Sequence, residues 1–203
     1  MADYCFSYMF LNCTSLTQAP ELPATTLASN CYDSMFYKCF NLTQVPKLPA
    51  TTLASNCYYQ MFTDCTSLTQ IPELPATTLV ARCYDGMFLG CTSLKLSETR
   101  TGEYTQEYRI PFSGDGTTVK WALNNMFAST GGTFTGTPEI NKTYYLSSDN
   151  MIARGNEIAT LNGYVKNMID NAGCIIPSST LNSNKKFKIT VDDSGAISAT
   201  EIT

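Results

Sequence analysis

A period of 26 residues governs the first half of the chain. Residues 5–30, 31–56 and 57–82 lie under one another without a gap; the first and second share 17 identities and the second and third share 15. In the second copy the repeated positions are Cys31, Met35-Phe36, Cys39, Leu42, Val45-Pro46, Leu48-Pro49 and Leu53. They recur in the third as Cys57, Met61-Phe62, Cys65, Leu68, Ile71-Pro72, Leu74-Pro75 and Leu79. A fourth copy opens at Cys83 and runs through Met87, Phe88, Cys91 and Leu94 before departing at Lys95. A fixed period of this length marks a repeat architecture, in which each unit is too small to cover its own apolar face and buries it against its neighbours.

Local cues within one copy point to an α+β unit. Leu42, Val45 and Leu48 flank Pro46 and end at Pro49, which reads as a short strand stacking in parallel on its copies, with the prolines turning the chain out of the ladder. Leu53, Cys57, Met61 and Phe62 follow at spacings of four, four and one, an apolar stripe for a helix of about three turns. Thr51 or Thr52, with the equivalents at 25, 26, 77 and 78, is placed to cap that helix. The expected fold is an α+β leucine-rich-repeat solenoid of short parallel strands and short helices, followed by a C-terminal capping α/β segment that ends in a β-hairpin. Residues 1–96 would form the solenoid, with copies at 5–30, 31–56, 57–82 and 83–96; residues 97–203 would form a degenerate copy, a helix and the hairpin, as a cap or anchor.

The segment Met-Phe-x-x-Cys-x-Ser-Leu-Thr-x-x-Pro-x-Leu-Pro resembles the BspA-like leucine-rich repeats. Met35-Phe36, Cys39, Leu42-Thr43 and Val45 fall on that pattern, as do Met61-Phe62, Cys65, Leu68-Thr69 and Ile71, over residues 5 to about 96. The 26-residue length and the cysteines at 31, 57 and 83 depart from it. The resemblance implies proteins shown on bacterial or protozoan surfaces, or carried by phages of gut bacteria, that attach to other macromolecules without a catalytic centre.

Eight of the nine cysteines form two columns, Cys5, Cys31, Cys57, Cys83 and Cys13, Cys39, Cys65, Cys91, while Cys174 stands apart. Side chains in one column point in parallel, which disfavours bridging along it. A bridge within a copy, such as Cys31 to Cys39, stays open; the alternative is that each cysteine is a compact free core residue. Without histidine or closely spaced cysteine pairs, zinc and iron–sulfur sites are not expected.

Beyond residue 96 a strand is expected at about 103–110 and another at 117–121. Trp121 to Phe127 echoes the Met-Phe element, and Phe134 to Ile140 the Leu-Thr-Gln-Ile-Pro element, with Gly131-Gly132 in place of the second cysteine. Ser148 or Asp149 would cap a helical stretch reaching about Asn171, and Phe187–Val191 with Ala196–Ile202 would form a hairpin across Asp192-Asp193-Ser194-Gly195. That turn and Asp115 between glycines lack the spaced oxygens of a calcium loop.

Charge and composition narrow the function. A net charge of −4 with no basic cluster beyond Lys185-Lys186-x-Lys188 gives a polyanion nothing to bind, so nucleic acid is not an expected partner. The lack of histidine removes the usual activation of serine and cysteine nucleophiles. Glu21, Lys47 and Glu73 share one repeat position and form a solvated ladder, not a carboxylate pair across a cleft. No apolar run approaches the roughly 20 residues that span a bilayer, so membrane insertion is not expected. Met1 to Cys5 shows no secretory signal. The sequence opens inside a repeat, which fits a piece of a longer protein or a chain delivered by assembly.

The expectation is therefore a non-catalytic attachment scaffold on a cell surface or virion, with no cofactor and no metal. It would recognise a protein or glycan on a host or bacterial surface, or else be a phage virion structural component, fibre or head-surface decoration, with residues 97–203 as a route to homo-oligomers or virion assembly. Candidate contact residues are those that differ most between copies, Tyr8, Ser34, Gln60, Lys38 and Asp64. The Tyr32, Tyr58, Tyr84 column joins them, either as an exposed stacking surface or as rings that cover the core.

Overall fold

The computed structural model describes residues 1–110, 121–153, 175–177, 186–191 and 197–202. The chain divides into two compact units, Met1–Arg154 and Gly155–Thr203.

In the first unit the segments expected to be helical are turns. No α-helix forms among the described residues. Instead a left-handed residue recurs at every fourth position: Tyr4, Tyr8 and Asn12; Asn30, Ser34 and Lys38; Asn56, Gln60 and Asp64; Arg82, Gly86 and Gly90; Trp121, Asn125 and Ser129, all at φ between 48° and 75°. Each such residue reverses the local curvature, so the chain advances in four-residue steps instead of winding at 3.6 residues per turn.

Backbone hydrogen bonding follows the same alternation. One set of amides closes turns three residues back, as in Met35 N–H to Tyr32 O and Cys39 N–H to Phe36 O. The intervening amides donate to the next copy, as in Tyr32 to Cys57 O, Ser34 to Tyr59 O, Phe36 to Met61 O and Lys38 to Thr63 O. Every copy thus lies on the next as a layer. The second cysteine column adds a link, because the Cys39, Cys65 and Cys91 thiols donate to the carbonyls of Phe10, Phe36 and Phe62 at 3.0–3.1 Å.

The layers bury two aromatic ladders. Phe10, Phe36, Phe62, Phe88 and Phe127 stack nearly parallel with centroids 5.4–5.6 Å apart. Phe6, Tyr32, Tyr58 and Tyr84 form the second at 5.7–5.8 Å. Met35, Met61, Met87 and Met126 lie beside them, fully or almost fully buried. Offset parallel rings at this spacing are a favoured aromatic geometry and fit the layer separation that the interlayer backbone hydrogen bonds hold.

The leucine-rich-repeat solenoid is therefore corrected: neither its helices nor its repeated parallel strand forms. The strand expected around Leu42 to Leu48 shrinks to a single parallel bridge between Gln18 and Gln44. In the third copy it becomes β1 (Gln70–Pro72), which pairs in parallel not with a copy of itself but with β6 (Met151–Ala153). Prolines at 46, 49, 72 and 75 remove the amides that a continuous ladder would need. Thr26 and Thr52 are no helix caps either; they form another isolated parallel bridge between copies.

The fifth layer is displaced by an insertion. Phe88 N–H bonds Met126 O and Tyr84 N–H bonds Ala122 O, so Ala122 and Thr130 occupy the two cysteine columns, and Gly131-Gly132 follow the second column instead of replacing it. The intervening chain builds β2 (Lys95–Ser97) and β3 (Tyr104–Arg109), joined by β4 (Gly131–Gly132) and β5 (Thr143–Ser147) in a sheet of order β3-β5-β2-β4. Along β3, Tyr104 and Tyr108 face inward and Thr105, Glu107 and Arg109 outward. Its partner is β5, not residues 117–121, where Trp121 opens the fifth layer and 117–120 lie outside the described residues. A Cβ on Gly132 would come within 2.4 Å of Leu96 O, so this approach of β4 to β2 requires glycine.

Asn150 ties the sheet to the fourth layer. Its Oδ1 accepts from Lys95 N–H at 2.7 Å and its Nδ2 donates to Ser93 O at 2.9 Å. The helix expected from Ser148 is replaced at 151–153 by β6, and its remainder lies outside the described residues.

In the second unit β7 (Ile175–Pro177), β8 (Lys186–Val191) and β9 (Ile197–Ile202) form an antiparallel sheet in that order. The expected hairpin is the β8–β9 pair, in register from Lys186–Ile202 to Val191–Ile197.

Candidate functional site

The residues that vary between copies do not form one exposed surface. Tyr32, Tyr58 and Tyr84 are buried, at most 2% exposed, because their rings are sandwiched between layers; their reading as a contact surface is corrected. Ser34 is also buried, its Oγ donating to Asp33 Oδ1 at 2.7 Å. Tyr8 is 52% exposed on the first layer, and Lys38, Gln60 and Asp64 are half-buried. Tyr8, Ser34, Gln60, Lys38 and Asp64 share something other than exposure: each holds a left-handed φ. In the fourth layer both of these columns carry glycine, Gly86 beneath the Gln60 side chain and Gly90 beneath that of Asp64.

The outer surface instead gathers an arginine and two aromatic rings. The Arg82 guanidinium lies 4.4 Å from the centroid of the Trp121 ring and 6.0 Å from that of Tyr59, and its Nε is 3.8 Å from Asp85 Oδ2. Asn124 Nδ2 donates to Asp85 Oδ1 at 3.3 Å. Trp121 is 47% exposed. Stacking fixes both residues here: Arg82 and Trp121 occupy the same left-handed column in consecutive layers, and Asp85 and Asn124, three residues further on, match each other in the same register. The insertion separates Arg82 and Trp121 by 39 residues in place of 26, which hides the pairing in the sequence.

Electrostatically the cluster is balanced. Burial raises the Asp85 carboxyl, while the Asn124 hydrogen bond and the Arg82 charge pull it back down. Burial likewise raises the Tyr59 hydroxyl. A guanidinium over ring faces, with a carboxylate and a carboxamide at its edge, presents flat apolar area and directional polar groups together. The cluster has no nucleophile paired with a base.

The thiols are held protonated in the interior. Burial pushes Cys31, Cys39 and Cys83 up to about 11, and Cys57, Cys65 and Cys91 higher still. All eight described cysteines are free, with Cys5 exposed and Cys13 half-buried. No cluster of metal-ligating side chains occurs among the described residues, and no helix there is long and apolar enough to cross a membrane. Asp115 and the Asp192–Gly195 turn lie outside the described residues.

Comparison of the chain with protein-family models, curated proteins and solved structures gives no match.

Proposed function

We propose that this protein is a non-catalytic attachment scaffold, which holds a small recognition surface on a rigid stack and binds a macromolecule, protein or glycan, at a cell surface or on a virion. The observation that carries this reading is the Tyr59–Arg82–Trp121 cluster with Asp85 and Asn124. Trp, Tyr and Arg supply most of the binding energy at interfaces, and they do so where a rigid support holds them. Here the support is the layered backbone: Arg82 and Trp121 are spaced by the same stacking that orders the core ladders. The resemblance of the Met-Phe-x-x-Cys segments to BspA-like repeats agrees with a role in attachment, although the fold that it implies does not form.

The test is an array of glycans and extracellular proteins probed with the full chain and with Trp121→Ala and Arg82→Ala variants. The reading predicts a bound class that both variants lose by about tenfold or more, with Tyr8→Ala unaffected. Binding that survives both changes would place recognition elsewhere.

A further inference from the structure

Each layer is polar in the direction of the stack: alternate amides point toward the next layer and the matching carbonyls toward the previous one. In the interior every such carbonyl has its amide, as with Cys31, Asp33, Met35 and Tyr37 accepting from Phe6, Tyr8, Phe10 and Asn12 at 2.8–2.9 Å. The corresponding carbonyls of the first layer, Cys5, Ser7, Met9 and Leu11, receive no backbone amide among the described residues. At the other end two of the four corresponding fifth-layer amides are taken by the chain itself, since Phe127 N–H donates to Gly136 O and Asn125 N–H to Thr137 Oγ1. The stack therefore has a partly capped donor end and an open acceptor end.

The open end is also apolar. Met1, Tyr4, Tyr8, Met9 and Leu11 are 46–63% exposed, and elsewhere among the described residues only Phe40, Trp121 and Met151 are large exposed hydrophobics. The Phe6 and Phe10 rings stack on Tyr32 and Phe36 and end both ladders. The Cys39, Cys65 and Cys91 thiols each donate to the layer before them, whereas Cys13 has no layer before it. An exposed apolar surface of this kind marks an interaction site.

We infer that the first-layer face is a docking surface for one further layer of this same 26-residue repeat class, laid on Cys5–Leu11 in the register each layer holds on the next. The argument is continuity with the interface repeated inside the stack: only a layer of this type offers amides at alternate residues, all pointing one way, together with rings in line with Phe6 and Phe10. A second copy of the chain placed end to end does not fit. Head to head it would set carbonyl row against carbonyl row, and head to tail two of the donor amides it needs, Asn125 and Phe127, are already taken by Thr137 and Gly136. An ordinary β-strand edge alternates donors and acceptors and would leave half of its groups unmatched.

The test joins a copy of Cys31–Asn56 in register ahead of Cys5 in the full chain, in place of Met1–Tyr4, and compares it with a chain carrying the same residues shuffled. The expected result is slow hydrogen exchange at the added amides that match Tyr32, Ser34, Phe36 and Lys38, with Tm about 5 °C or more above the shuffled control. Added amides that exchange as freely as in the shuffled chain overturn the inference. So does an unmodified chain that sediments as a dimer dissociated by Met9→Asp, because the occupant would then be a second copy.

Discussion

Lys38→Gly and Gly90→Ala form a pair whose effects on stability carry opposite signs in a layer of turns and in a helix. Lys38 and Gly90 occupy one column, at φ 61° and 75°. An L-residue in the left-handed region costs about 1–2 kcal/mol. Glycine removes that cost but loses about 0.5–1 kcal/mol to its freer unfolded chain. The contact of the Lys38 ammonium with the Tyr37 ring, 5.3 Å from its centroid, contributes about 0.5 kcal/mol more at a partly exposed site. Lys38→Gly is thus expected to stabilise slightly, by about 0.25 kcal/mol, a rise in Tm of about 0.5–1 °C. Gly90→Ala reinstates the left-handed cost and places a Cβ 2.3 Å from Asp64 Oδ1, so that side chain must move. Its expected loss is about 1–2 kcal/mol, or about 2–8 °C. In a helix Lys38→Gly would lose close to 1 kcal/mol and Gly90→Ala would gain about as much. Urea unfolding followed by fluorescence, with thermal melts alongside, measures both. A Gly90→Ala variant more stable than the parent refutes the four-residue turn geometry.

Other outcomes follow from the same packing. Phe62→Ala, which removes a ring held between Phe36 and Phe88, is expected to cost about 3–5 kcal/mol, and Phe10→Ala at the open end clearly less; equal losses in urea unfolding would count against the ladder. Asn150→Ala leaves the Lys95 amide and Ser93 carbonyl without their partner and is expected to cost about 2–3 kcal/mol by the same assay, so a loss under half a kcal/mol would contradict the clamp. Alkaline pH is expected to destabilise the fold: thiols that ionise near 9.0 when unfolded hold their protons to about 11 in the folded chain at Cys31, Cys39 and Cys83. The unfolded chain releases those protons first, so stability is intact below pH 9 and falls between pH 9 and 11, each thiol accounting for about 2–3 kcal/mol at the upper limit. Melts that stay flat over that interval would show the thiols to be solvated. Conversely, burial raises the Asp33 carboxyl, so its ionised form weakens the fold above its folded pKa, and Asp33→Asn is expected to raise Tm at pH 7 but not at pH 3.

The core was legible in the sequence because burial follows composition: the Met-Phe pairs of the second, third and fourth copies and the inner cysteines are buried, and Phe127 continues the ladder as the echo at Trp121–Phe127 suggests. The backbone was misread because Leu53, Cys57 and Met61 are four apart, and over two turns that spacing does not separate a 3.6-residue helix from a four-residue turn. The distinguishing mark lay in the variable columns, where Asn30, Asn56, Asn12, Asp64, Gly86 and Gly90 are residue types that tolerate a left-handed φ. Variation there was read as exposure, whereas Asp33, Ser34 and Asp85 vary while buried. The Arg82–Trp121 contact was missed because the strands inserted after Lys95 shift the fifth layer out of the 26-residue register; the Met126-Phe127 echo carries the new register, and hydrogen bonding fixes it by aligning Ala122 with Cys83.

The layered stack is tested most directly by solution NMR on chains labelled at phenylalanine. Ring-to-ring Overhauser contacts are expected between successive members of Phe10, Phe36, Phe62, Phe88 and Phe127, in that order, and between Phe127 and Phe134 at its end. A Phe62 ring with no contact to Phe36 or Phe88 would contradict the account.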